Sequence, residues 1–503
     1  MEEMFKITIE NFNETHVRIF STNRAVYSAL KKKFHFVVPN AHFMKSKFSD
    51  KKWNGEISLF NLRDQTIYKG LLREVLDFLG DEYGEIVFKG FEKGKPLHDF
   101  FDHDLISRFG IPENFDPRDY AVEATHQALK QKRATIESPT SSGKSMLIYY
   151  LYRTIQLLDM RPEDKFLIVV PSVLLVDQME DDFREYGYNG LLHKILGGKS
   201  KESDDPDCQL YVSTWQSLAM LPPAYFKKFK GIVVDEAHGG TAKEMTKIIE
   251  YCTSAVYRYG TSGTFKDCAI NALTLRGLFG KNIVATTIQE LKSYGYIADT
   301  NIVMHRVTYG PRLEDIFPPD CDYQHETSTI LKSKQRDNII MRIIESEPDK
   351  NGLVLFNTIK HGERLIEAFK KWFPDREYRV ITGSVKREDR FTIKKEIDAG
   401  DLPRGTVVFA TYGTMSTGVS IKNLDFGIFA HPLKSKIKIL QSLGRLLRIS
   451  DTKFKATLHD VWDDLTTISK KHKSNFGKAH AIERLQHYME GGYEIDEMTH
   501  RID

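Results

Sequence analysis

From residue 100 onward, short apolar runs alternate with longer stretches in which apolar residues recur every three or four positions. The runs are FLIVV (166–170), LYVST (210–214), GIVVDE (231–236), GLVLF (352–356), TVVFAT (406–411) and FGIFA (426–430). Runs of this length and composition predict strands buried on both faces, and the stretches between them suit the helices of βαβ crossovers. The expected class is α/β with parallel sheets. Such runs lie on both sides of a less regular region near residues 280–335, which contains PPDCDYQHETS, so two sheets joined by a linker are expected rather than one very wide sheet. Residues 1–97 read differently. FKITIENF and HVRIFS predict short strands, NRAVYSALKKKF a helix, EISLFNLRDQTIYKG a hairpin and LLREVLDFLGD an amphipathic helix. The expected organisation is a small α+β module over 1–97, a first parallel-sheet lobe over 98–281 and a second over 282–503.

Composition narrows the class without choosing a function. The 503 residues are 41% hydrophobic with 33 Gly and 17 Pro, the usage of folded globular chains, which excludes disorder and collagen-like repeats. The N-terminus MEEMFKITIE carries acids where a signal peptide needs positive charge, and no aliphatic stretch approaches the ~20 residues that span a bilayer. No membrane association is expected. Cys208, Cys252, Cys268 and Cys321 include no pair at zinc or redox spacing, so reduced thiols and a cytoplasmic location are expected. The net charge of +3 hides local asymmetry. Residues 17–69 hold eleven Lys/Arg against three acids, including Lys31, Lys32 and Lys33, with Phe34, Phe36, Phe43, Phe48 and Trp53 interleaved. That composition suits phosphate contact and base stacking; the alternative is a solvated basic face over an aromatic core.

Three motifs carry chemistry. PTSSGKS (139–145) follows a strand-like stretch and precedes a helical one, so the backbone of Pro139, Thr140, Ser141, Ser142 and Gly143 is placed to cradle phosphates at a helix N-terminus. Lys144 then reaches the β- and γ-phosphates of ATP, and the Ser145 hydroxyl ligates Mg²⁺. The run GIVV ends in Asp235-Glu236-Ala237-His238. A carboxylate at the end of a parallel strand beside a phosphate loop suits the magnesium shell, partly through water, and its neighbour suits polarising the attacking water, giving Asp235 and Glu236 those roles. His238 is expected to make a coupling hydrogen bond. In QSLGRLLR (441–448), Arg445 and Arg448 share one helical face with Gln441 a turn back, an arrangement suited to charge on a transferring phosphoryl group.

These motifs, with FLIVVPSVLLVDQ, VSTWQSL, YGTSGT, LVLFN and ATYGTMSTGVSI in this order, resemble motifs I to VI of the superfamily 2 helicases over roughly residues 115–450. The whole chain, with its N-terminal module, resembles the recombination helicases of T-even phages. The resemblance implies two RecA-like lobes with ATP in the cleft and a nucleic acid strand across both. It implies coupling of ATP to strand movement by Thr261, Ser262 and Thr264, completion of the site by Gln441, Arg445 and Arg448, and backbone contacts to the strand by Ser213, Thr214, Thr411 and Thr414. Three positions depart from the family pattern. Ala121 stands where the adenine-reading Gln of RxYQ belongs, leaving Arg118 and Phe115 or Tyr120 to hold the base; Ser420 replaces an acid after Gly418-Val419; and Ser138 replaces a Gly.

Residues 431–480 add eleven Lys/Arg against Asp451, Asp460, Asp463 and Asp464. Basic charge thus brackets the motor at both ends, which suits duplex arms, although KKHKSNFGK reads equally as a solvated loop. The expected function is an ATP- and Mg²⁺-dependent helicase or translocase, a monomer acting on branched DNA in recombination, repair and replication restart, with RNA–DNA hybrids a further substrate. The rival readings are a restriction-type translocating ATPase and a non-catalytic nucleic-acid scaffold.

Overall fold

The structure, a computed structural model, describes residues 6–37, 56–80, 83–92, 94–113, 115, 117–139, 141–197, 201–238, 243–263, 265, 269–297, 299–319, 321–416, 424–431 and 455–503. The described chain forms two compact units that part between residues 285 and 286, with the short segment Pro139–Ser142 grouped with the second.

In the first unit the N-terminal module comprises β1 (Lys6–Asn11), β2 (His16–Ser21), β3 (His35–Val37), β4 (Glu56–Ser58), β5 (Phe60–Asn61), β6 (Thr66–Tyr68) and β7 (Glu85–Lys89). Five of these make a mixed sheet in the order β5-β6-β2-β1-β7, and β3 pairs with β4 apart from it. Alternation in β1 and β2 puts Ile7, Ile9, Val17 and Ile19 on one buried face, against Val26 and Leu30 of the helix Ala25–Lys33 and Val75 and Leu79 of the helix Leu72–Leu79. Phe34 belongs to this core and Phe36 packs against it, so these two rings are core rather than the base-stacking surface expected of them. Phe43, Phe48 and Trp53 lie outside the described residues.

The module is fastened to the lobe that follows through polar groups. The β1–β2 turn places Glu14 where its carboxylate accepts from Lys69 Nζ at 2.8 Å and Arg133 Nη2 at 3.0 Å. Arg258 is fully buried, and its guanidinium donates to Thr15 Oγ1 at 3.3 Å and to the carbonyls of Ile249, Cys252 and Leu278. Tyr68 donates to Glu250 Oε1 at 2.6 Å.

The first lobe holds β8 (Arg133–Glu137), β9 (Lys165–Val170), β10 (Leu192–Ile195), β11 (Leu210–Thr214), β12 (Phe229–Asp235), β13 (Tyr257–Ser262) and β14 (Asn282–Val284), all parallel in the order β10-β11-β9-β12-β13-β8-β14. Because β14 pairs with β8, the first unit runs four residues past the expected boundary at 281. The second lobe holds β15 (Asp299–Tyr309), β16 (Gly352–Phe356), β17 (Tyr378–Ile381), β18 (Val407–Thr411), β19 (Phe426–Phe429), β20 (Lys455–Asp464) and β21 (Glu494–Ile502), again all parallel, in the order β17-β18-β16-β19-β20-β15-β21. Two RecA-like parallel-sheet lobes therefore follow the module.

The region near 280–335 corrects the linker expected there. Its residues 299–309 form an 11-residue strand in the second sheet, where Ile302, Met304, His305, Val307 and Tyr309 are buried and Asn301, Val303, Arg306 and Thr308 half-buried. No helix among the described residues is long and apolar enough to cross a membrane.

Candidate active site

Parallel strands deliver their C-terminal ends to one edge of a sheet, and in the first lobe β12, β13 and β8 are neighbours there. β12 ends at Asp235, whose register partner on β13 is Thr261; Ser262, the last residue of β13, pairs with Glu137 of β8. Thr261 Oγ1 donates to Asp235 Oδ1 at 2.8 Å. Ser262 Oγ lies 2.9 Å from His238 Nδ1 and donates to Glu236 Oε2 at 3.5 Å, while His238 Nδ1 lies 3.2 Å from the same Oε2. Lys144 Nζ donates to Glu236 Oε1 at 3.0 Å. The structure thus joins Lys144, Asp235, Glu236, His238, Thr261 and Ser262 into one network, assembled from three segments up to 118 residues apart along the chain.

Two backbone features shape it. Ser141 (φ +71°), Gly143 (φ +83°) and Glu236 (φ +52°) lie in the left-handed region, which only glycine enters freely. At the two non-glycine positions this strain is of order 1–3 kcal/mol each and marks backbone held for a purpose. Gly143 starts the helix Lys144–Asp159, and no side chain caps it, the condition of a helix N-terminus that receives an anion. A Cβ at Gly143 would stand 3.9 Å from Arg118 Nη1, so Arg118 flanks the loop, with Nη1 donating to Tyr120 Oη at 2.8 Å. The loop is tied to β13 through Ser138, whose N–H donates to the Ser262 carbonyl at 2.8 Å.

The two adjacent carboxylates are driven apart electrostatically. Burial, then the neighbouring Glu236 charge, raises the pKa of Asp235 above the usual carboxylate range despite the Lys144 charge and the Thr261 bond. Burial acts upward on Glu236 too, but Lys144 and the hydrogen bond from His238 outweigh it and hold Glu236 well below that range. Among the described residues no three His, Cys, Asp or Glu side chains form a metal cluster. The oxygen donors of Asp235 and Ser145 nevertheless fit a hard divalent cation that keeps water and takes its remaining ligands from phosphate, as Mg²⁺ does.

Other expected residues are placed differently. Ser213 is fully buried, with its hydroxyl donating to the Ile195 carbonyl at 2.8 Å; it closes the end of edge strand β10 and presents no side-chain surface to a strand. Thr214 is also buried, and its hydroxyl caps the short helix Trp215–Leu218. In the second lobe Thr411 and Thr414 are half-buried, their hydroxyls 2.9 Å apart. Lys31, Lys32 and Lys33 are exposed on the last turn of their helix, where cations also complement the helix dipole. Thr140, Thr264, Gln441, Arg445 and Arg448 lie outside the described residues, as do Gly418, Val419 and Ser420. The motif reading missed Tyr186, whose hydroxyl is 2.8 Å from Ser145 Oγ and whose ring meets Phe115 edge-on. Its only sequence signal is an aromatic residue just past a predicted helix.

The family described as Type III restriction enzyme, res subunit, matches residues 114–267, the stretch that holds the phosphate loop, the acidic pair and β13. The ATP-dependent DNA helicase uvsW of Enterobacteria phage T4 is 29% identical over 96% of this chain and 97% of its own length. The DNA 3'-5' translocase XPB2 of Sulfurisphaera tokodaii is 22% identical over 68% of this chain and 80% of its own. Among solved structures, S. cerevisiae Dbp5 bound to RNA and ADP BeF3 shares the fold at a TM-score of 0.52 and 13% identity, covering 78% of this chain and 95% of that one. With its ordered motifs, its two parallel-sheet lobes and similarity to uvsW along nearly its whole length, this chain resembles the superfamily 2 helicases and is an ATP-dependent helicase.

Proposed function

We propose that this helicase uses Mg²⁺–ATP to translocate on DNA and to unwind or remodel branched structures, with RNA–DNA hybrids as a further substrate, and that it serves recombination, repair and replication restart as a monomer. The reading rests on the network at the strand ends: a lysine from the phosphate loop and a histidine and serine from neighbouring segments meet on Glu236, beside an aspartate of opposite pKa shift. Lys144 holds the terminal phosphates, and Ser145 and Asp235 hold the cation, which when bound supplies charge neutralisation at the phosphates. Glu236, kept ionised by Lys144 and His238, accepts a proton from the attacking water. Thr261, Ser262, Thr264 and His238 relay the state of the two carboxylates to β13. Arg118 flanks the base, and Gln441, Arg445 and Arg448 add charge from the second lobe. Ser213, Thr214, Thr411 and Thr414 line the strand's path through their backbone or neighbours, and the exposed Lys31, Lys32 and Lys33 grip duplex phosphate.

The test is ATP hydrolysis with and without DNA, followed by unwinding of matched fork, four-way junction, displacement-loop and RNA–DNA substrates. Hydrolysis stimulated by DNA together with strand separation supports the proposal. DNA-stimulated hydrolysis without strand separation on any of the four favours a restriction-type translocase, and no hydrolysis leaves a scaffold.

A further inference from the structure

Several hydroxyls in the first lobe's helices and in the phosphate loop bond to backbone within their own segment. Thr125 donates to the Ala121 carbonyl at 2.7 Å, Thr154 to the Tyr150 carbonyl at 2.7 Å, and Ser142 to the Pro139 carbonyl at 2.6 Å. Ser145, in the first turn of Lys144–Asp159, does otherwise: its Oγ lies 2.8 Å from the hydroxyl of Tyr186, 41 residues on. Tyr186 follows the helix Val173–Glu185 and is only 8% exposed. Its ring is fixed on two sides, edge-on to Phe115 at 5.3 Å and tilted against Tyr149 at 5.6 Å, so its hydroxyl has little freedom to turn away.

A serine hydroxyl that ligates a cation does so through an oxygen lone pair, and its own proton must point elsewhere. If that proton has no fixed acceptor, the hydroxyl samples rotamers in which proton and metal compete for the same direction. Groups that orient a metal's direct ligands in this way typically change metal affinity by about 10- to 100-fold when removed. We infer that Tyr186 is a positioning residue for the metal site: its phenol oxygen accepts the Ser145 proton and thereby turns the Ser145 lone pairs toward the cation held with the nucleotide. Because the same ring leans on Phe115 beside the base-flanking Arg118 segment, seating of the base and orientation of the metal ligand share one side chain. This inference rests on the proposed role of Ser145 as a cation ligand.

The experiment is equilibrium binding of a fluorescent ATP analogue to the full chain, in EDTA and across a Mg²⁺ titration, for wild type, Tyr186→Phe, Ser145→Ala and the double variant. Tyr186→Phe keeps the ring and its contacts with Phe115 and Tyr149 and removes only the hydroxyl; thermal denaturation checks that it folds as wild type does. Affinity in EDTA should be unchanged in Tyr186→Phe, while the Mg²⁺ concentration for half-maximal enhancement rises about 10-fold. In the Ser145→Ala background, Tyr186→Phe should have no further effect, a result that general loosening of the aromatic cluster does not produce. A wild-type Mg²⁺ response in Tyr186→Phe, or an equal loss on top of Ser145→Ala, overturns the inference. A wild-type Mg²⁺ response in Ser145→Ala instead overturns the metal role of Ser145 itself, and the inference with it.

Discussion

Acid should loosen the second unit before the first, and the buried histidines set by how much. His305 on β15 lies between two other imidazoles: its Nδ1 is 2.9 Å from His500 Nε2 and its Nε2 is 2.9 Å from His459 Nδ1. His459 Nε2 in turn lies 3.5 Å from Glu347 Oε1. One donor direction links the three rings, His500 Nε2–H to His305 Nδ1 and His305 Nε2–H to His459 Nδ1, and it requires no second proton on His305. Burial, then the charges that His459 and His500 would carry, lowers the pKa of His305 from 6.5 to about 3. Burial, then His361 and Arg336, lowers that of His431 to about 3 as well. Both folded-state values lie below the unfolded value, so the unfolded chain binds protons that the folded chain refuses. Stability is therefore full above pH 6.5, falls as pH drops below it, and continues to fall toward pH 3. At about 1.4 kcal/mol per pH unit for each group, lowering the pH from about 7 to about 5 removes about 2 kcal/mol per histidine, hence about 4 kcal/mol from the second unit. Among the described residues of the first unit, His16 is such a group, lowered to about 4 by burial and then Arg258. The first unit should lose about 2 kcal/mol over the same range. Native-state hydrogen exchange on the amides of β15 and β13, corrected for intrinsic pH dependence, reads the two units separately, and His305→Asn should halve the loss in β15. A loss in β15 no greater than that in β13 refutes the reasoning.

Three further outcomes are expected. Lys144→Ala should weaken nucleotide binding, whereas Glu236→Gln should retain it while lowering kcat by at least about 10²-fold; nucleotide titration and single-turnover hydrolysis separate the two, and normal turnover in Glu236→Gln removes its assignment as base. Replacing Lys31, Lys32 and Lys33 with Ala should weaken duplex binding regardless of sequence and flatten the logarithmic salt slope by up to about 0.9 per lost contact, read by titration across salt concentrations. Glu14→Ala should destabilise the first unit by about 3 kcal/mol, because it leaves Arg133 and Lys69 as largely buried cations without their carboxylate, and chemical denaturation measures the change.

How much of the fold can be read in sequence depends on where each strand finds its partners. GLVLF and LYVST coincide with β16 and β11 because every residue in them is buried, and an unbroken apolar run is the local signature of that environment. β20, KATLHDVWDD, has no such signature, for it carries three aspartates into the interior. Asp460 accepts from Arg484 at 2.7 and 2.9 Å, Asp463 from Arg336 at 2.9 Å, and Asp464 from Arg306 at 2.6 and 3.0 Å. Those arginines lie 24, 127 and 158 residues away in the chain, so no local window contains the charge that makes each burial tolerable. The same pairs alter the charge reading of residues 431–480. Asp460, Asp463 and Asp464 are neutralised inside the lobe by arginines from outside that stretch, Asp464 also pairing with Lys478 within it, and they do not offset exposed cations such as Lys455 and Lys473.

At the candidate site the sequence singles out groups but not the direction each one faces. Ser213 and Ser262 look alike: each is a serine at or next to the end of a parallel strand in a short polar motif. Ser213 faces its edge neighbour and bonds to the Ile195 carbonyl, whereas Ser262 faces the acidic pair. The difference originates in the strand between them. β12 is central, and the chain leaves it through Glu236 in a left-handed conformation that a glutamate adopts only under constraint. Asp235 stays in register with Thr261, while the turn at Glu236 swings the next carboxylate toward Lys144, His238 and Ser262. Had the strand simply continued, the two carboxylates would project to opposite faces of the sheet and only one would meet the phosphate loop. One strained residue thus gives adjacent acids different partners. Different partners give them opposite pKa shifts, upward at Asp235 through burial and the Glu236 charge, downward at Glu236 through Lys144 and His238.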